Sequence, residues 1–178
     1  VTYHPETWGE VDGMASLNTL LSVLEKFNVN IIWTGANADS GGDLINQRVQ
    51  EWFTDSSIKG GFFSSLGFER YLSLMHYADA VVGNSSSGII EAPAMGIPTV
   101  NIGNRQAGRL RSDSIIDCSV DEVEMKKAIE KALSNNFKEQ IKMQTCAYGA
   151  GGAADKIVKA LVDIDLQTLK SKRFYDLD

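Results

Sequence analysis

Six small or hydrogen-bonding residues in a row, Gly83-Asn84-Ser85-Ser86-Ser87-Gly88, followed by Ile89-Ile90-Glu91, hold the most legible chemistry in this 178-residue chain. The apolar run Ala80-Val81-Val82 leads into them, and a helix is expected from about Ser87 to Met95, so they form a strand-to-helix turn. Free amides and the positive end of a helix dipole converge at such a turn. With only glycine and serine side chains in the way, a phosphate can approach the backbone of Ser86, Ser87 and Gly88 closely, and the hydroxyls add donors. Glu91 lies about one turn into the helix, where its carboxylate could accept two hydrogen bonds from a ribose diol. Serine is also a preferred helix cap, but one cap needs one serine. Three in succession, flanked by glycines, favour the anion site.

Three further polar loops carry candidate groups. His4, in His4-Pro5-Glu6-Thr7, could donate to a phosphate oxygen or act as an acid near neutrality; a single histidine is also a common capping or packing residue. Arg105, Arg109 and Arg111 crowd one loop after Ile102, and a guanidinium can clamp a phosphate or a carboxylate in bidentate fashion. The plainer reading is an exposed basic loop meeting Asp113 or Glu91. Asn37 and Asp39 could bind a sugar hydroxyl or simply shape their turn. His76, inside a helix beside Tyr77, is given no role.

The elements that must position these loops follow from periodicity. Leu17, Leu20, Leu21, Leu24 and Phe27 share a helical face, Asn28 ends that helix, and Val29 to Thr34 follows as a strand. A helix on Leu44, Ile45, Val49, Trp52 and Phe53, a strand at Phe62-Phe63 and a helix around Leu72 and Met75 come next. Then come the Ala80 strand, the Ser87 helix, a strand over Pro98–Ile102 and the brief run Ile115-Ile116. Ser119 to Glu122 reads as a capping box for a helix on Met125, Ala128, Ile129, Ala132 and Leu133. Two last helices are expected, from Phe137 to Cys146 and from Ala153 to Val162. This alternation predicts α/β crossover units around a parallel sheet of about five or six strands, the first running into His4. In such a sheet ligands bind beyond the carboxyl ends of the strands, the edge where all four polar loops fall.

Composition narrows the function classes. Seventeen basic against 23 acidic residues give a net charge of −6, so no nucleic-acid or anionic-membrane partner is expected, and an anionic ligand needs a local site. The length fits one domain. Cys118 and Cys146 match no metal or redox spacing, and with no membrane-length apolar run and no signal-peptide pattern the chain reads as cytoplasmic. His4 and His76 have no ligand-spaced partners, so no metal is expected, and no cofactor. The missing GxGxxG pattern disfavours a dehydrogenase.

Together, His4-Pro5-Glu6-Thr7, Asn37-Ala38-Asp39, Phe63-Ser64-Ser65-Leu66-Gly67, the Gly83–Glu91 stretch and Gly103-Asn104-Arg105-Gln106-Ala107-Gly108-Arg109 resemble the carboxyl-terminal half of hydrolysing UDP-N-acetylglucosamine 2-epimerases. Lys172-Arg173-Phe174-Tyr175-Asp176 resembles the ending of that group. The resemblance implies a Rossmann-like, doubly wound parallel sheet, residues 1–178 being the second, UDP-binding domain of a two-domain GT-B-type architecture whose amino-terminal domain this chain lacks. It implies that Ser86, Ser87 and Gly88 hold the diphosphate of UDP or UDP-N-acetylglucosamine and Glu91 the ribose. Tyr71 falls near an aromatic beside the base, and the Phe63–Gly67 loop would meet uracil. His4 would contact the phosphate and assist departure of the nucleotide, and Arg109, with Arg105 beside it, would reach the substrate. The implied reaction removes the C2 proton, expels UDP to give a glycal and hydrates it to N-acetylmannosamine, a step toward sialic acid and surface polysaccharides. The proton-transfer carboxylates would lie mostly in the absent domain, so this chain alone is expected to bind weakly and turn over little; the full-length protein is expected to be a homo-oligomer. Two alternatives are the nucleotide domain of a glycosyltransferase on the same scaffold and a non-catalytic nucleotide-sugar-binding module.

Overall fold

Thr2 holds the sheet together. In the computed structural model, which describes residues 1–6, 13–149 and 151–165, strands β1 (Asn30–Thr34) and β2 (Lys59–Phe63) form one parallel pair, and β3 (Val81–Gly83), β4 (Thr99–Ile102) and β5 (Ile115–Cys118) a parallel set of three. Thr2 makes parallel bridges to Thr34 on one side and Gly83 on the other. Counting that segment as the first strand, the spatial order is β2, β1, Thr2, β3, β4, β5, which in chain order is the doubly wound Rossmann arrangement.

The helices are α1 (Gly13–Leu24), α2 (Gly42–Asp55), α3 (Gly67–His76), α4 (Ser87–Ala94), α5 (Glu122–Leu133), α6 (Asn135–Ile141) and α7 (Ala153–Asp163). One face of the sheet is covered by α1 with α2 and α5, and α3 packs against α4, which lies on β3 and β4. The main core joins Leu17, Leu20, Leu24, Trp33, Val49, Trp52, Val100 and Met125, a continuous apolar layer between helices and sheet. All four residues of β4 are buried, as expected of a central strand covered on both faces. Helix α7 buries none of its residues. No helix among the described residues is long and apolar enough to cross a membrane.

The α/β crossover pattern is observed, with local differences. The first strand shrinks to the Thr2 bridges, since Pro5 has no N–H with which to extend a ladder. Leu44 is 60% exposed, because Ile45, Val49 and Trp52 already define the inner stripe of α2. The cap of α5 is Asp121, whose Oδ1 accepts from the amides of Val123 (2.9 Å) and Glu124 (3.0 Å). Ser119 is instead held by the Glu124 carboxylate, through its N–H (3.0 Å) and hydroxyl (2.6 Å). Helix α6 stops at Ile141, short of Cys146: the Gln144 side chain accepts from the Ser114 amide (2.8 Å) and donates to the Pro93 carbonyl (3.2 Å), tertiary bonds that hold the chain out of a further turn. Thr7 and the Lys172–Asp176 ending lie outside the described residues.

Candidate nucleotide site at the sheet switch point

The strand order reverses between the Thr2 segment and β3, so the crevice favoured for ligands opens between the loops that follow them, His4 onward and Asn84 onward. The two segments touch at Gly83. Its φ is +136°, and a Cβ there would sit 1.9 Å from the Thr2 carbonyl oxygen, so only glycine lets the backbones close.

Beyond Gly83 the serine turn is open to an anion. Ser86 stands at the start of α4 with helical dihedrals and no side-chain capping bond. The amides of Ile89 and Ile90 both bond the Ser86 carbonyl at 3.0 Å, and that of Gly88 bonds the Ser85 carbonyl at 3.2 Å. The Ser87 amide has only a long contact to Ser85 Oγ, 3.4 Å, and the Ser86 amide has no acceptor among the described residues. A hydroxyl chain runs along the turn, from Tyr71 to Ser87 Oγ (2.6 Å) and from Ser87 Oγ to Ser85 Oγ (3.1 Å). Gly88 is packed on β4: a Cβ would lie 2.8 Å from the Thr99 methyl, so α4 approaches the sheet closely because no side chain intervenes. One turn on, Glu91 keeps Oε2 buried and without a partner among the described residues. A carboxylate oxygen withdrawn from water and unpaired is costly, and a ligand hydroxyl would relieve it.

His4 is joined to the start of this turn through Asn84, whose side chain bonds the His4 backbone. The Asn37 amide donates to His4 Nδ1 at 3.0 Å, which fixes the neutral ring with its proton on Nε2. Burial, reinforced by the Arg105 cation and opposed by Asp39, lowers the His4 pKa to about 4. At neutral pH His4 is therefore an uncharged hydrogen-bond donor. Because its pKa is lowered from 6.5 on folding, its contribution to stability is fully present above about pH 6.5 and is lost as pH falls toward 4. An NMR titration of the imidazole should find it neutral down to about that pH; a midpoint near 6.5 would show the ring to be solvated and free.

Of the arginines, Arg105 comes to this cluster, its Nη1 donating to the Asn84 carbonyl at 3.1 Å. Arg109 is exposed, its carbonyl accepting from Arg111, and Arg111 pairs with Asp117 at 3.0 Å. Neither Asp113 nor Glu91 takes an arginine among these pairs. Asn37 Nδ2 donates to Asp39 at 2.5 Å, the turn-shaping arrangement, though Asn37 Oδ1 stays buried and has no partner among the described residues. Tyr71 reaches the serine turn through its hydroxyl. His76 stacks edge-on against Tyr77 on the surface, away from the crevice loops.

Sequence reasoning passed over three residues here. Asn84 is wholly buried at the centre of the cluster, and Gln106, 3% exposed, donates to the Asn84 carbonyl at 2.8 Å. Glu6 packs against Gly103 with Oε1 buried and, among the described residues, unpartnered. A polar residue just after a strand reads as an ordinary turn former, so nothing local marked them.

Fold and edge define a Rossmann-like α/β domain with an anion-receptive strand-to-helix turn at its switch point. The family model described as UDP-N-acetylglucosamine 2-epimerase matches residues 1–162, and the chain belongs to that family. It is 41% identical, over 99% of its length and 46% of the relative's, to the GDP/UDP-N,N'-diacetylbacillosamine 2-epimerase (hydrolyzing) of Campylobacter jejuni. It is 32% identical, over 93% of its length and 42% of the relative's, to the UDP-N,N'-diacetylbacillosamine 2-epimerase (hydrolyzing) of Legionella pneumophila. Its fold matches that of the Methanocaldococcus jannaschii UDP-GlcNAc 2-epimerase crystallised with UDP-GlcNAc and UDP, with a TM-score of 0.68 at 15% identity, covering 90% of this chain and 44% of that one. The chain thus spans under half the length of each of these relatives.

Proposed function

We propose that this chain is the nucleotide-binding half of a hydrolysing nucleotide-sugar 2-epimerase of two-domain, GT-B-type build, acting on a UDP-linked 2-acetamido sugar. The observation that carries the reading is the conjunction, on one helix, of the available Ser86 and Ser87 amides and the unpartnered Glu91 oxygen one turn away. That spacing suits a diphosphate at the helix end and a ribose diol at the carboxylate.

In this reading water and UDP-N-acetylglucosamine give UDP and N-acetylmannosamine. A base removes the C2 proton as the C1–O bond to UDP breaks, and water then adds across the glycal with inverted configuration at C2. The present chain supplies the leaving-group half of that chemistry. The Ser86 and Ser87 amides receive the departing charge, the Gly88 amide being taken by the Ser85 carbonyl; Arg105 neutralises part of it, and the His4 Nε2–H donates to a phosphate oxygen. An arriving diphosphate raises the proton affinity of His4, so the ring gains basicity as it gains a partner.

The names of the relatives favour a second substrate of the same class, a nucleoside-diphosphate N,N'-diacetylbacillosamine. Incubating the full-length protein with each nucleotide sugar and no acceptor separates the readings. Release of UDP together with a 2-epimerised free sugar supports the epimerase; an intact substrate points to glycosyl transfer or to a binding module.

A further inference from the structure

Asn84 is fully buried, and its polar groups join two other segments of the crevice edge, Thr2–His4 and Arg105–Gln106. Its N–H bonds the Thr2 carbonyl (3.2 Å), the last ladder bond before the chain leaves the sheet. Its side chain then continues the ladder. Oδ1 accepts from the His4 amide (2.7 Å), while Nδ2 donates to the His4 carbonyl (2.9 Å), a two-point clasp across 80 residues of sequence. Its own carbonyl accepts from Gln106 Nε2 (2.8 Å) and Arg105 Nη1 (3.1 Å).

We infer that Asn84 is the positioning residue of the site: its side-chain amide clasps the His4 backbone to the start of the serine turn, and so sets where the Asn37-held ring stands, and its carbonyl, steadied by Gln106, sets Arg105. This rests on the reading of that turn as a diphosphate site. A side-chain amide accepts from the His4 N–H through its oxygen and donates to the His4 carbonyl through its nitrogen, two separate atoms that the single, shorter hydroxyl of serine does not supply. A carboxylate cannot donate, and an apolar side chain leaves two His4 backbone groups unpaired in a largely buried place. Since Asn84 is also the residue from which the chain turns into Ser85–Ser87, a shift of the turn is a shift of the clasp. The charged groups facing the His4 ring are Arg105 and Asp39, and the Asn37 amide holds its Nδ1. The His4 segment itself is joined to the start of the serine turn by the backbone clasp to Asn84.

The test uses the full chain in four forms: unaltered, Asn84→Ser, Gln106→Met, and Val100→Ala as a control for simple loss of stability in the core. UDP affinity is read by calorimetry and the His4 tautomer by ring nitrogen chemical shifts. Asn84→Ser is expected to bind UDP at least tenfold more weakly and, because the freed His4 backbone lets the ring leave the Asn37 amide that fixes its tautomer, to show a mixture of His4 tautomers in place of the single Nε2–H form. Gln106→Met is expected to weaken UDP binding while His4 keeps its signals. Val100→Ala should melt earlier with both readouts unchanged. The inference is overturned if Asn84→Ser keeps the His4 signals of the unaltered chain, or if Val100→Ala reproduces its losses. Should Asn84→Ser fail to fold, Asn84→Asp carries the same tautomer expectation, because it too loses the donor to the His4 carbonyl. If the unaltered chain binds no UDP, the diphosphate reading fails, while the tautomer comparison still decides whether Asn84 positions His4.

Discussion

Gly83→Ala is expected to lower the melting temperature by about 10 °C, the largest effect of any single methyl group at the site. The reason is local and steric. The added Cβ would lie 1.9 Å from the Thr2 carbonyl oxygen, and the residue holds φ at +136°, where side-chain-bearing residues are strained. The clash is with backbone, so no side chain can swing away. Relief requires Thr2 to part from β3, and Thr2 bridges the two parts of the sheet. A strained substitution of this kind costs about 4 kcal/mol, and each kcal/mol is worth roughly 2–4 °C for a domain of this length. The same movement would pull Asn84 from Thr2 and His4, so UDP binding should fall with stability. Differential scanning calorimetry checks it; a melting temperature within 2 °C or so of the unaltered chain would show that the junction has slack.

Glu91→Ala is expected to split affinity from stability. Loss of a charge-assisted bond to a ribose hydroxyl should weaken UDP binding by about 1.5–3 kcal/mol, roughly ten- to 150-fold. The unliganded protein should melt no earlier, because the change removes a carboxylate oxygen that is buried without a partner. A residue kept for packing would behave in the opposite way, losing stability while binding normally. The pair of readouts, calorimetric titration with UDP and a melting curve on the same samples, therefore distinguishes a ligand group from a structural one. Equal affinity of Glu91→Ala and the unaltered chain would remove the ribose assignment.

These effects bear on what sequence can convey. Strand-to-helix order, the serine turn and Glu91 were legible because each is local: a short apolar run, a break of small residues, then helical spacing. The central position of Thr2 was not, since a one-residue bridge between two sheets has no periodicity to detect. Nor was the choice among Arg105, Arg109 and Arg111. Three identical side chains on one loop are sorted only by tertiary contacts, in which Asn84 takes the first and Asp117 the third. The cap at Asp121 shows the same limit in miniature. The sequence pattern places the capping box at Ser119, whereas Asp121, with its extended backbone and its carboxylate on the Val123 and Glu124 amides, holds the cap. Asn84 is the clearest case, since its importance lies in what four distant groups do to it: the Thr2 carbonyl, the His4 backbone, Arg105 and Gln106.

The most direct measurement is a titration of the isotopically labelled chain with UDP, following backbone amide shifts residue by residue. The largest movements should fall on Ser86, Ser87 and Gly88, with Glu91 following on the same helix. Saturating shifts confined to other loops, or no shift at Ser86 and Ser87 while UDP is bound, would contradict the placement of the diphosphate on this turn.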